Sequence, residues 1–140
     1  MKLRLVLDTN VWLDWLVFGD PCIAPIKSAV AAGHAEVFID AACEAELVRA
    51  LGYDFGWKFP LDAAAREVCL AECRRVARRI ASVCPEAERA GLPRCRDKDD
   101  QKFLEAALAA RAEFLVTKDH ALLELAAPFR ILTPEDFAAV

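Results

Sequence analysis

Histidine, glycine and long apolar runs are all scarce in this chain of 140 residues, and each shortage excludes something. Only His34 and His120 are present, and the six cysteines form no C-x-x-C pair, so the ligand spacing of a zinc site is missing. Five glycines and seven prolines provide no low-complexity linker, and no repeat of solenoid length is evident. No run free of Asp, Glu, Lys and Arg is longer than Ser28 to Ala35, far short of a bilayer span. Lys2 and Arg4 precede only Leu5, Val6 and Leu7 before Asp8, too few apolar residues for a secretory leader. A basic excess is also lacking: the net charge of −4 argues against a simple nucleic-acid coat. The expectation is a cytoplasmic protein with reduced thiols, Cys69 and Cys73 serving as core residues.

What is present suits one ordinary domain over residues 1–140, with 56% apolar and 29% charged residues. LRLVL reads as a fully buried strand, and Thr9 or Asn10 is placed to cap a helix through Val11, Trp12, Trp15 and Leu16. Ala24 to Ala32 reads as a helix stopped by Gly33, and AEVFID as a strand ending at Asp40. Asp40 then caps AACEAELVRAL. From Asp62 a long helix is predicted, with Cys69, Cys73, Val76 and Ile80 as its apolar stripe. SVCPEAERAGLPRCRD reads as loop. DKDDQKFLEAALAARA is an amphipathic helix, followed by strand EFLVT, turn KDH, helix ALLELAA, strand FRIL and a last turn of helix opened by Thr133-Pro134. Strands alternating with helices give an α/β class with a largely parallel sheet.

Four acids stand where an unpaired charge is costly. Ligands of parallel sheets bind beyond the carboxyl ends of the strands. Asp8 directly follows the first strand, and Asp119 follows Val116 by three residues. Asp100 shares a helix face with Phe103, Leu104 and Ala107, whereas Asp99 points toward solvent. Glu46 lies about 60° from the Cys43–Leu47–Ala50 stripe and Glu44 about 100°, which favours Glu46 as the inward residue. Each acid also has a plain structural role open to it, as cap, turn or surface residue. Together, four inward carboxylates would repel one another, and hard divalent cations such as Mg2+ or Mn2+, one or two in number, relieve that.

VLDTNVWL, the Glu-Leu pair after the second strand, RDKDDQKFLEAALAARAEFLVTKD and ILTPEDF together resemble the PIN-domain family. The resemblance is closest to the branch of toxin components of toxin–antitoxin pairs, the VapC-type ribonucleases. It implies a Rossmann-like α/β/α sandwich and an Mg2+- or Mn2+-dependent endoribonuclease acting on single-stranded RNA. By motif position it implies Asp8, Glu46, Asp100 and Asp119 as metal-holding and catalytic acids. Asp97 matches a further acid of this branch, and Asn10 and Thr117 match polar positions that orient the carboxylates or a water. A homodimer and a small antitoxin partner are implied as well.

Outside the acids, Arg74, Arg75, Arg78 and Arg79 are expected on one solvated helix face, where they would also suit RNA phosphates. Tyr53, Phe55, Trp57 and Phe59 suit a lid on the core or a subunit contact more than base stacking. Lys118 and His120 receive no catalytic role. Two other classes stay open: a phosphoacceptor domain using Asp8, Lys118 and Asp40, and a non-catalytic binding module of the same fold.

Overall fold

The apolar run behind Lys2 forms β1 (Leu3–Leu7), in which Leu5, Val6 and Leu7 are all at most 1% exposed. Successive strand side chains point to opposite faces, so burial of three in a row requires cover on both sides of the sheet. The computed structural model describes residues 2–53, 61–81 and 84–140. Around β1 it places β2 (Ala35–Ile39), β3 (Ala77–Arg79), β4 (Phe114–Val116) and β5 (Arg130–Leu132), all parallel, in the order β3-β2-β1-β4-β5.

Helices connect these strands: α1 (Thr9–Leu13), α2 (Ala24–Ala31), α3 (Ala41–Leu51), α4 (Ala63–Val76), α5 (Glu86–Ala90), α6 (Gln101–Ala109), α7 (His120–Leu123) and α8 (Pro134–Ala138). Helix α6 packs on β1 and β4 and against α3, while α2 packs on β2 and against α8. The core is continuous, from Trp12 and Phe38 through Leu47, Phe103 and Leu104 to Leu115 and Leu122. The expected Rossmann-like α/β architecture with a parallel sheet is the one observed. No described helix is long and apolar enough to cross a membrane. All six cysteines are free thiols, and Cys69 and Cys73 are buried as expected.

Four local expectations need correction. The residue in the cap position of α1 is Asp8, not Thr9 or Asn10, and its carboxylate makes no capping bond because it turns toward β4. After α1 the chain widens into a π-helical turn, Asp14–Phe18, closed by Gly19 at φ 57°. The predicted long helix ends at Val76, and Ala77–Arg79 is instead an edge strand on β2, extended by the bond from Ile80 N–H to Ile39 C=O at 3.0 Å. Without β3, the outer backbone groups of β2 would lack partners, a cost that outweighs the helical spacing of Ile80. Finally, the stretch read as loop contains α5, bracketed by Pro85 and Gly91 and too short to display a period. Of the aromatic cluster only Tyr53 is described, 55% exposed; Phe55, Trp57 and Phe59 lie outside the described residues.

The order of strands makes a switch point between β1 and β4, because the chain proceeds outward from β1 in one direction and from β4 in the other. In open parallel sheets such a crevice at the carboxyl ends is where ligands enter. Leu104 is fully buried on the helix packed over it, so Leu104→Ala should cost about 2–5 kcal/mol. Val68→Ala, at a site 70% exposed, should stay within about 0.5 kcal/mol. Urea unfolding of the two variants checks both values.

Candidate active site

Because Leu7 is in register with Val116, the residues that follow them, Asp8 and Thr117, emerge side by side. The Asp8 N–H donates to the Val116 carbonyl at 2.9 Å, and the Thr117 hydroxyl donates to Asp8 Oδ2 at 2.7 Å. The same hydroxyl accepts from the Asp119 N–H at 2.9 Å. Thr117, fully buried, thus ties the first carboxylate to the backbone that carries another. Asp119 caps α7 through Oδ1, which accepts from the Ala121 N–H.

Two helices supply the remaining acids. Asp97 accepts from the Asp99 N–H and starts the tight turn Lys98–Asp100 that leads into α6. That turn leaves Asp97 and Asp99 exposed and buries Asp100. Glu46, at the middle of α3, accepts from the Thr9 hydroxyl and from the Lys102 ammonium. Asp8, Glu46, Asp100 and Asp119, with Thr9, Asn10, Leu13, Ala50 and Tyr53, line one cleft of about 190 Å3.

The electrostatics of the cleft follow from burial and like charge. Burial raises Asp8 from 3.8 to about 6, opposed by the Thr117 hydroxyl bond and assisted by the charges of Asp119 and Glu46. Asp100 is pushed up by burial and by its hydrogen-bonded partner Asp119, while Asp119, which takes that bond, is held down. Two neighbouring carboxyls shifted in opposite directions behave as one interacting pair, not as independent acids. Among the described residues, Asp100 Oδ2 is buried with no hydrogen-bond partner. An acceptor in that condition, beside other carboxylates, fits a hard oxygen-seeking cation.

Another group of donors is tighter. Asp14, Asp20 and Cys22 bring one ligand atom each within 4.8 Å of the others, and among the described residues no three of the four cleft acids come so close. That group is already satisfied: the Lys118 ammonium sits on Asp14 at 2.5 Å, and burial pushes the Cys22 thiol up to about 12. It is a closed ion pair beside a protonated thiol, a poor metal ligand set.

The PIN-domain profile matches residues 4–121. The chain belongs to the PIN-domain family. No curated protein matches it. Among solved structures this PIN domain is similar to a chain in the crystal structure of VapBC2 from Rickettsia felis bound to a DNA fragment from their promoter. The TM-score is 0.64 at 17% identity, covering 93% of this chain and 97% of that one, a likeness of fold.

The PIN domain thus gathers the four singled-out acids at one cleft, with Asn10 exposed at its mouth and Thr117 behind it. The arginines lie elsewhere and do not share one helix: Arg74 and Arg75 are on α4, Arg78 and Arg79 on β3. Each is paired with an acid, Arg74 and Arg79 with Glu44, Arg75 with Glu72 and Arg78 with Glu36. Those pairs explain why Glu44, at the wider angle from the apolar stripe, is nonetheless buried. Lys118 turns to Asp14 and Asp40 caps α3, so neither attends Asp8 as a phosphoacceptor site would need. Sequence periodicity missed Lys102 and Asp14; the lysine sits in the D-D-x-K-F motif, whereas Asp14 gives no signal before its partner is known.

Since the folded-state value of Asp8 lies above its unfolded one, its contribution to stability is complete below pH 3.8 and is lost as pH rises through about 6. Asp8→Asn removes that loss. In chelator, the stability of Asp8→Asn relative to the unsubstituted chain should therefore rise by about 1 kcal/mol between pH 5 and pH 7.5, measured by denaturant unfolding at both pH values.

Proposed function

We propose that this PIN domain is a metal-dependent endoribonuclease that hydrolyses phosphodiester bonds of single-stranded RNA, as the toxin of a toxin–antitoxin pair. The observation that carries the proposal is the convergence of Asp8, Glu46, Asp100 and Asp119 from four separate segments on one cleft, with a buried Asp100 oxygen that has no partner among the described residues. Asp8, Asp100 and Asp119 are the proposed direct holders of Mg2+ or Mn2+, with Glu46 completing the acidic cleft. A bound ion of this kind supplies Lewis acidity toward a phosphoryl oxygen and a more acidic water.

The chain's own residues do the rest. Thr117 fixes the rotamer of Asp8 and the backbone of Asp119, so two carboxylates keep a set separation before any substrate arrives. Asp97 shapes the turn that aims Asp100 inward. Asn10, exposed at the mouth of the cleft, is placed to donate to a substrate phosphate or to orient a water. Arg74, Arg75, Arg78 and Arg79, 55% to 71% exposed, are the proposed phosphate contacts away from the cleft, with a grip reduced by their acid partners. Similarity to a chain of a VapBC2 structure supports a small antitoxin as partner, and a homodimer belongs to the same proposal. The cytoplasm is the expected location.

Cleavage of a labelled single-stranded RNA by the full chain, with and without Mn2+ or Mg2+, tests the activity. Asp8→Asn and Asp100→Asn should abolish metal-dependent cutting while the circular dichroism spectrum stays unchanged. Undiminished cutting by either variant would remove the mechanism. Thermal stability provides an independent check: Mn2+ at about 100 times its Kd should add about 2.7 kcal/mol to the unsubstituted chain and much less to Asp100→Asn.

A further inference from the structure

Among the ion pairs of the described residues, Lys102–Glu46 is the one with both side chains largely covered, at 18% and 19% exposed. Its geometry engages both oxygens of Glu46. Oε1 accepts from Lys102 Nζ at 2.6 Å, and Oε2 accepts from the Thr9 hydroxyl. Asp100 Oδ2, lining the same cleft, is in the opposite condition, buried and without a partner among the described residues. The acids of the cleft are therefore unequal: Glu46 already has its cation and Asp100 does not.

The lysine is held in place from several directions. It leaves α6 two residues after Asp100, and its carbonyl accepts a 3.8 Å bond from the Cys43 thiol of α3. Its ammonium also lies 5.7 Å from the centre of the Phe103 ring. Stem and head are thus lodged in the seam between α3 and α6, which a solvated surface lysine would not be.

On the basis of the nuclease reading, we propose that Lys102 takes the place of a second divalent cation, so that the cleft binds one ion, on the side of Asp8, Asp100 and Asp119. Charge balance supports this. With Lys102 on Glu46, the three aspartates are the charges left to neutralise, and a single divalent ion removes most of that. Without Lys102, Glu46 becomes a half-buried carboxylate with no counter-charge, a costly state that a second ion would relieve. Lys102 is on this view a positioning residue. It fixes Glu46 and a positive charge at the rim, and it sets how many metal ions the cleft takes.

The test is the number of Mn2+ ions bound per full-length chain, counted by the electron paramagnetic resonance of free Mn2+ during titration. The unsubstituted chain should bind one ion, and so should Lys102→Arg, which keeps the charge. Lys102→Met, which keeps the stem, and Lys102→Gln should each bind two, and Glu46→Gln added to Lys102→Met should return the count to one. Circular dichroism confirms that the variants counted are folded, and two neutral substitutions guard against one failing to fold. Two ions on the unsubstituted chain, or one on both neutral variants, would overturn the role of Lys102 while leaving the nuclease reading in place. No Mn2+ on any of these proteins would overturn both. A purely structural salt bridge would lower the melting temperature of Lys102→Met without changing the count.

Discussion

Repulsion among like charges governs the working end of this molecule. A parallel sheet delivers its strand ends to one rim, and this chain puts a carboxylate or its support at two of them, Asp8 after β1 and Thr117 after β4. Burial then removes the water that would otherwise screen them. Every neighbouring feature answers that problem in part. The Thr117 hydroxyl donates to Asp8, Asp100 is pushed toward its neutral form beside Asp119, and an ammonium covers Glu46. What these partners leave over, including an unbonded oxygen of Asp100, is the negative potential available to a cation.

The order of elements and the parallel sheet were legible because the strands are short, fully apolar and separated by helical periods. The inward aspartates were legible for the same reason. Phe103, Leu104 and Ala107 fix the face of α6, and that face carries Asp100 and not Asp99. Less could be read where tertiary contacts override local pattern. Ile80 fits the apolar stripe of α4 by spacing, yet the outer edge of β2 draws residues 77–79 into a strand. Glu44 looks exposed on a helical wheel and is buried, because two arginines distant in sequence reach over it. A wheel records which way a side chain points and is silent on what arrives to meet it.

Arginine provides the clearest contrast between composition and structure. In sequence, four arginines over six positions look like a basic strip available to a polyanion. In the fold they are distributed between a helix and an edge strand, and each has an acid within ion-pair distance. Two of them meet on Glu44 and join α4 and β3 to α3, the helix that also carries Glu46. Their positive charge therefore does part of its work inside the molecule, orienting the helix that brings one acid to the cleft.

Both margins of the sheet are strands of only three residues, β3 and β5, and both expose arginine. An edge so brief and so charged gives an incoming strand little to pair with, which guards the monomer against open-ended stacking. Association of two such molecules through continuous β-structure is accordingly disfavoured, and the helical surfaces become the ground on which any self-recognition has to be built.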